Sequence, residues 1–91
     1  MFARVEAFHT EPSEMDDVIT EQHHATGRVR TMNGNMGGYV LVDRDNCRVL
    51  GVTFWQNEDD RTVAESEFEA AAHRGDVQLY SIAMQQSLRP A

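Results

Sequence analysis

The fold of this chain is decided by residues 32–60, which read MNGNMGGYVLVDRDNCRVLGVTFWQNEDD. Three glycines and two asparagines among residues 32–38 predict a turn region, because both residue types tolerate positive φ angles. Two apolar runs, at residues 39–42 and 48–55, then flank a short polar loop at residues 43–46. Two such runs joined by a short polar loop predict an antiparallel β-hairpin.

A strand and a helix are predicted before this hairpin. Residues 2–9 alternate between two faces with a period of two, as a β-strand does. Residues 13–26 carry apolar side chains at helical spacing, with Ser13 at the position of an N-cap and acidic residues in the first turn. The chain is therefore expected to enter the hairpin from an amphipathic helix.

A second helix and a last strand are predicted after the hairpin. Asn57 suits the N-cap of this helix, and apolar residues at helical spacing follow it. The helix is expected to end with His73 and Arg74 in its last turn and Gly75 just past it. Residues 77–84 alternate again and form the last strand. The predicted order of elements is β-α-β-β-α-β.

This order predicts a ferredoxin-like α+β fold, in which a four-stranded antiparallel sheet carries both helices on one face. Residues 1–84 form this domain, and residues 85–91 form a C-terminal tail. The helices leave the other sheet face uncovered, and two copies that pack sheet to sheet would bury it. The sequence thus predicts a homodimer, and the alternative is a monomer whose sheet is half solvated.

Composition limits the classes of function. The 91 residues, of 10.3 kDa, make one domain, and a net charge of −7 with a pI near 4.9 argues against a nucleic-acid or anionic-membrane partner. All eight basic residues are arginine, which excludes a lysine Schiff base. The single Cys47 excludes an internal disulfide and a cysteine-based zinc site. No apolar run approaches the roughly 20 residues of a membrane helix, so we expect a cytoplasmic protein.

The order and spacing of several short motifs resemble one family. The motifs are a glycine-rich turn into a strand, a polar hairpin loop, an apolar strand that ends in tryptophan, and an acidic helix start: Met32-x-Gly34-x-x-Gly37-Gly38-Tyr39, Leu41-x-Asp43-Arg44, Val49-Leu50-Gly51-Val52-Thr53-Phe54-Trp55 and Asn57-Glu58-Asp59-Asp60. Through them the chain, to about residue 84, is similar to the antibiotic-biosynthesis-monooxygenase-like family of the dimeric α/β-barrel superfamily.

The resemblance implies a ferredoxin-like protomer, a homodimer that forms a dimeric α/β barrel through its sheets, and a pocket between sheet and helices. Members of the family include cofactor-independent monooxygenases that act on polycyclic phenols or quinols, haem-degrading enzymes, and proteins of unknown activity. Fold analogy alone does not choose among these activities.

Oxygenation without a cofactor makes definite chemical demands. Ground-state oxygen reacts with an electron-rich phenolate or enolate, so the protein must supply a dry pocket, a base for the substrate proton, and donors for the oxyanion. We therefore expect a monooxygenase that oxidises a small aromatic, quinol or polyketide-like molecule with no cofactor or metal. The alternative is a non-catalytic dimeric module that binds a small ligand or has a structural role.

Trp55 and His9 are the candidate catalytic residues. The resemblance places Trp55 between the third strand and the second helix, where its indole either stacks on an aromatic substrate and donates its N–H, or packs in the core. His9 shares a strand face with three small residues that leave room for a ligand beneath the helices, namely Ala3, Val5 and Ala7. This room makes His9 the favoured base.

Two tyrosines and two charged residues on the predicted strands have further expected roles. Tyr39 and Tyr80 each either donate a hydrogen bond to a substrate in the pocket or fill the core with an amphipathic ring. Arg4 and Glu6 lie on the strand face opposite His9. We expect them to pair across the dimer interface, since burial of an unpaired ion is costly.

The remaining histidines are weaker candidates. His23 and His24 are neighbours on the first helix and point about 100° apart, so they cannot bind one metal ion together, although either one can serve a pocket as a base. In the haem-degrading members, a histidine similar in position to His73 ligates the iron, with an asparagine on the first strand and a second tryptophan in the helix. Both of these partners are missing from the sequence, so haem binding is less favoured.

Overall fold

The chain folds into the order of elements predicted from its sequence. The computed structural model describes residues 1–86. Its elements are β1 (Phe2–His9), α1 (Met15–Val29), β2 (Asn35–Asp43), β3 (Arg48–Trp55), α2 (Glu58–Glu69) and β4 (Asp76–Ser81), with a short 3-10 turn at Pro12–Glu14 before α1. Neither helix in this part of the chain has the length and apolar character needed to cross a membrane.

The four strands form one antiparallel sheet in the order β2-β3-β1-β4. Val5 of β1 pairs with Val52 of β3 on one side and with Gln78 of β4 on the other. Because neighbours in a strand point to opposite faces, this register separates the side chains under the helices from those on the other face. We call this other face the open face.

Both helices pack on the same face of the sheet, which confirms the predicted ferredoxin-like α+β fold. Two clusters of buried apolar side chains join the sheet to the helices. The first is Trp55 with Ala25, Val29, Ala64 and Phe68, and the second is Phe8 and Val49 with Met15 and Val18. Around Trp55, therefore, the space between sheet and helices is a packed core.

A buried ion cluster lies in the same layer. Arg4 of β1 is 1% exposed, donates two hydrogen bonds to Glu65 of α2 at 2.7 and 2.8 Å, and pairs with Glu6 at 3.0 Å. Its guanidinium also lies 3.9 Å from the centre of the Phe68 ring. The expectation that Arg4 and Glu6 pair across a dimer interface is wrong, because both side chains lie under the helices and are paired within the chain.

Carboxylates stabilise the charge of Arg4 in this layer. Burial opposes the charged form, but the hydrogen bonds and charges of Glu65 and Glu6 outweigh it, so the pKa of Arg4 is raised above its ordinary value. Glu6 also accepts a hydrogen bond from the Gly75 amide at 2.7 Å. The cluster thus ties β1 both to α2 and to the connection between α2 and β4.

Of the two predicted helix N-caps, one is confirmed and the other is wrong. Asn57 caps α2 as predicted, since its side chain accepts a hydrogen bond from the Asp60 amide at 3.2 Å. Ser13 is not the N-cap of α1, because Pro12 starts a 3-10 turn that includes it. α1 therefore begins at Met15.

Both helices end away from their predicted positions. α1 runs one turn further than predicted, to Val29. α2 stops earlier, at Glu69, because amides of the following segment bind carboxylates of other elements, as that of His73 does with Glu21 at 2.9 Å. Gly75 then lies within the connection to β4 and is not the residue that ends the helix.

The last strand is shorter than its alternation predicts. The pattern extends to residue 84, but β4 ends at Ser81. Ser81 pairs with Phe2, the first residue of β1, and beyond this pair the Ile82 amide donates to the Met1 carbonyl oxygen at 2.8 Å. Of the predicted tail, residues 85–86 are exposed, and residues 87–91 lie outside the described part of the chain.

The open face carries an apolar centre. Half-buried side chains of β3 form its middle, and side chains of the edge strands that are about half exposed flank them: Leu50, Val52 and Phe54 in the middle, with Tyr39, Leu41 and Tyr80 at the edges. No helix within residues 1–86 covers this face.

The substitution Arg4→Met tests the buried ion cluster. It keeps apolar bulk but leaves Glu6 buried without its cation, so we expect the free energy of unfolding to fall by about 3–5 kcal/mol. Urea denaturation measures this change. Arg44→Met is the matched control, because Arg44 pairs with Asp16 on the surface and loss of that pair costs less than about 1 kcal/mol. Equal stability of Arg4→Met and the wild type would contradict the assignment.

A cleft between α1 and β2 as the candidate functional site

The second half of α1 lies beside β2, and a cleft of about 620 Å³ separates them. Three elements supply its walls: His23, Thr26, Gly27 and Arg30 from α1 and its C-terminal end, Asn35, Gly37, Gly38, Tyr39 and Val40 from β2, and Thr53 from β3. Pockets for small organic molecules commonly measure about 300–1,000 Å³. The cleft is therefore large enough for a small ligand.

One stripe of α1 forms the helical wall of the cleft. His23, Thr26, Gly27 and Arg30 are spaced by three, four and seven residues, and this spacing places them on one face of a helix. His24 points about 100° away from His23 and does not line the cleft. Of the two neighbouring histidines, only His23 is therefore positioned to act on a ligand there.

Bare backbone forms much of the opposite wall. Gly37 has a φ angle of 112°, and its amide donates to the Asn35 side chain at 2.9 Å, within an irregular section of β2. Gly38 pairs with Thr53, and a Cβ at Gly38 would lie 2.5 Å from the Val52 carbonyl oxygen. These glycines keep side chains out of the cleft on the β2 side.

The charge of the cleft differs from that of the whole chain. The protein carries a net charge of −7, yet no carboxylate of residues 1–86 lines the cleft. Arg30 lines it and forms no ion pair with these residues. An anionic oxygen in the cleft would therefore meet a guanidinium for which no carboxylate of the described residues competes.

Trp55 and His9 do not lie in this cleft. Trp55 is 0% exposed, and its Nε1–H donates to the Thr53 hydroxyl at 3.0 Å, so the indole packs in the core. His9 is exposed at the end of β1, in register with Arg48. The expectation that His9 lies beneath the helices is wrong, because the opposite set of β1 side chains, which includes Phe8, packs against them.

The two predicted tyrosines lie on opposite edge strands. Tyr39 of β2 lines the cleft and packs edge-on against Phe54 of the open face, with 6.0 Å between ring centres. Tyr80 of β4 hydrogen-bonds to Gln78 on its own strand. Because β2 and β4 are about 14 Å apart across the sheet, one small ligand cannot contact both. The structure does not bring the four predicted residues together.

Gly27 and Arg30 are missing from the residues predicted for the site. The predicted helix ends near residue 26, so both residues fall outside it, whereas α1 continues to Val29. Their spacing of four and seven residues from His23 places them on the same helix face as His23. This holds only if the predicted helix is extended by one turn.

A second cleft, of about 700 Å³, lies on the other side of Tyr39. Its lining is largely apolar and includes Met36, Phe54, Ile82 and Met84. This cleft opens on the face that a second copy of the chain is predicted to cover. Among residues 1–86, no histidine or arginine side chain lines it.

His73 lies in a carboxylate cluster between α1 and the α2–β4 connection. Its Nδ1 lies 2.6 Å from Glu21, and its Nε2 lies 3.8 Å from Glu14. The hydrogen bond with Glu21 raises the pKa of His73 above its ordinary value, although partial burial opposes this. Burial also opposes the charge of Glu21, but its hydrogen bonds with His73 outweigh this and lower the pKa of Glu21. The pair is an ionic link between the connection and α1.

The surroundings of His73 do not fit a haem ligand. Both ring nitrogens face carboxylates, and α2 ends at Glu69, four residues before His73. Iron ligation requires a free ring nitrogen aimed into a cavity, and His73 lines neither of the two clefts. Within residues 1–86, no three or more His, Cys, Asp or Glu side chains are grouped so as to hold a metal ion.

Solved structures with the same fold include proteins named as antibiotic biosynthesis monooxygenases. One from Nitrosomonas europaea is 10% identical over 92% of this chain and 100% of its own, with a TM-score of 0.72. Another, from Deinococcus radiodurans, is 12% identical over 99% of this chain and 100% of its own, with a TM-score of 0.71.

The heme-degrader MhuD from Mycobacterium tuberculosis, solved with two hemes in its active site, also has this fold. It is 13% identical over 96% of this chain and 100% of its own, with a TM-score of 0.72. No protein-family model matches the sequence, and no curated protein matches it. At these identities the similarity establishes the fold alone. The motifs of residues 32–60 predict a resemblance to the antibiotic-biosynthesis-monooxygenase-like family, and this resemblance is confirmed for the fold.

Proposed function

We propose that this protein binds a small aromatic, quinol or polyketide-like molecule in the α1–β2 cleft and oxidises it with molecular oxygen, without a prosthetic group. One observation carries the proposal. An imidazole, His23, and a guanidinium, Arg30, lie on the same stripe of α1 and line a cleft to which no carboxylate of residues 1–86 contributes. The monooxygenase names of two structural neighbours support this class of reaction.

The two side chains supply the base and the oxyanion donor that oxygenation without a cofactor demands, and both are exposed at the wall of the cleft. The His23 imidazole takes the proton of a phenol or enol, and the Arg30 guanidinium stabilises the oxyanion that results. Val40 and the glycine backbone of β2 offer the rest of a flat ring an uncharged surface. The substrate anion is then held where oxygen can reach it.

Oxidation of an anthrone illustrates the balance of the reaction. The anion gives one electron to O₂, and the substrate radical and superoxide combine to form a carbon–oxygen bond at the methylene carbon. The peroxide takes a proton from the imidazolium. Loss of the remaining C–H proton and cleavage of the O–O bond then release water and leave a carbonyl. One CH₂ group is thus oxidised to C=O, and O₂ is reduced to one carbonyl oxygen and one water.

A non-catalytic small-ligand-binding module is the second candidate function. The packed core around Trp55 favours it, because the indole predicted to stack on a substrate is fully buried and its N–H is bound by Thr53. In this case the cleft binds the same class of ligand and releases it unchanged. Haem degradation has less support, since His73 is engaged by Glu21 and Glu14.

We also propose that the open face joins two copies of the chain into a homodimer. The apolar centre of this face surrounds Val52, and half-exposed tyrosine rings lie at both edges. Charged or titratable groups such as His9 and Arg48 lie together at one end, so a second sheet meets little charge at the centre. We place the dimer in the cytoplasm, where the free thiol of Cys47 stays reduced.

Oxygen uptake with 1,8-dihydroxyanthrone tests the enzymatic proposal. After subtraction of the rate in buffer, we expect the wild type to consume oxygen and His23→Ala to lose about 100-fold in kcat/KM, since the base is gone. His24→Ala is the matched control, and its rate is expected to stay within about twofold, because it removes an exposed imidazole that does not line the cleft. Arg30→Gln is expected to weaken kcat/KM about tenfold.

Two outcomes would contradict this proposal in different ways. If the wild type binds anthraquinone-2-sulfonate but consumes no oxygen above the buffer rate, the non-catalytic binding module is correct. If His23→Ala and His24→Ala consume oxygen equally fast, His23 is not the base.

Light scattering tests the dimer through a charge placed at the centre of the open face. We expect the wild type to have a mass near twice 10.3 kDa and Val52→Arg to fall to the monomer mass, since a buried unpaired guanidinium is costly. Val63→Arg is the matched control, because Val63 is 65% exposed on α2, on the helix side of the sheet. A monomeric wild type at micromolar concentration would rule out the dimer.

A further inference from the structure

Gly27 is a glycine that the fold itself does not require. It lies in the last turn of α1, where alanine is the more stable residue because glycine loses more backbone freedom on folding. It also lines the α1–β2 cleft between His23 and Arg30. A glycine at such a position needs a physical reason.

The two usual reasons for a glycine are absent at this position. The backbone of Gly27 does not adopt a positive φ angle, unlike that of Gly34 and Gly37. Apart from its chain neighbours and the backbone of its own helical turns, no heavy atom lies within 4 Å of the place where a Cβ of residue 27 would stand. By contrast, a Cβ at Gly38 or Gly51 would collide with neighbouring atoms. The packing of the chain therefore accepts a side chain at residue 27.

The space left by Gly27 belongs to the cleft. His23 and Arg30 are about 10 Å apart along the helix axis, at 1.5 Å per residue, and Gly27 lies between them. The β2 wall is also bare, since Gly37 and Gly38 line it. The cleft is thus a slot with a polar group at each end of its helical wall, and Thr26 and the backbone of Gly27 lie between them.

We propose that Gly27 sets the size limit of the cleft, so that a flat fused-ring ligand fits against the helix between His23 and Arg30. This inference rests on the proposed function of the cleft as a ligand site. A side chain at residue 27 would occupy the middle of the slot. A fused-ring ligand would then be excluded, while a single ring at one end would still fit.

Calorimetric titration with two anionic probes tests this role. The probes are anthraquinone-2-sulfonate, with three fused rings, and benzenesulfonate, with one ring. We expect Gly27→Leu to weaken binding of the fused-ring probe at least about tenfold and that of the single-ring probe less than about threefold. Ser66→Leu is the matched control, because it adds the same side chain to an exposed position on α2 and is expected to leave both affinities unchanged.

Thermal denaturation of Gly27→Ala provides a second measurement that needs no ligand. Since the space is free and alanine favours the helix, we expect the Tm to rise by about 2–5 °C. A fall in Tm would show that residue 27 must be glycine for packing reasons, which overturns the inference.

The titrations separate failure of this inference from failure of the proposed function. If the wild type binds the fused-ring probe and Gly27→Leu binds it equally well, Gly27 sets no size limit, and the cleft remains the ligand site. If the wild type binds neither probe, the proposed function of the cleft is wrong and the role of Gly27 falls with it.

Discussion

The structure depends on which set of side chains the two central strands turn toward the helices. The register of β1 and β3 puts Phe8 beside Val49 and Arg4 beside Thr53 on the helix face. A guanidinium is tolerated there because the Glu65 carboxylate of α2 binds it with two hydrogen bonds. This pairing fixes α2 over β1, and α1 then lies over β3 and beside β2. The apolar centre of the opposite face is left open as a consequence.

Two neighbouring faces of α1 contact different parts of the molecule. One of its stripes packs in the core, while the adjacent stripe, with His23 and Arg30, faces the edge strand β2. The cleft exists because neither wall fills it: Gly27 leaves the helix bare, and Gly37 and Gly38 leave the strand bare. The same glycines that lower the local preference for regular structure therefore leave room for the cleft.

The fold was more accessible from sequence than the site. The alternation of β1 and β3 and the hairpin at residues 32–60 predict the order of the elements, since both are local patterns. Alternation distinguishes two faces of a strand but not which face is covered, and the partner of Arg4, Glu65, is distant in sequence. Alternation alone therefore puts His9 on the wrong side. It does not identify Arg30 either, because the end of a helix is weakly encoded and one additional turn decides whether Arg30 reaches the cleft.

The central claim is that the ligand binds between α1 and β2. Amide chemical-shift changes in ¹⁵N-labelled protein, titrated with anthraquinone-2-sulfonate, test it most directly. We expect the largest changes at Gly27 and Arg30 of the helical wall and at Asn35 and Val40 of the strand wall, none of which lines the second cleft. Changes concentrated instead around Phe54 and Met84, in the second cleft on the open face, would contradict it.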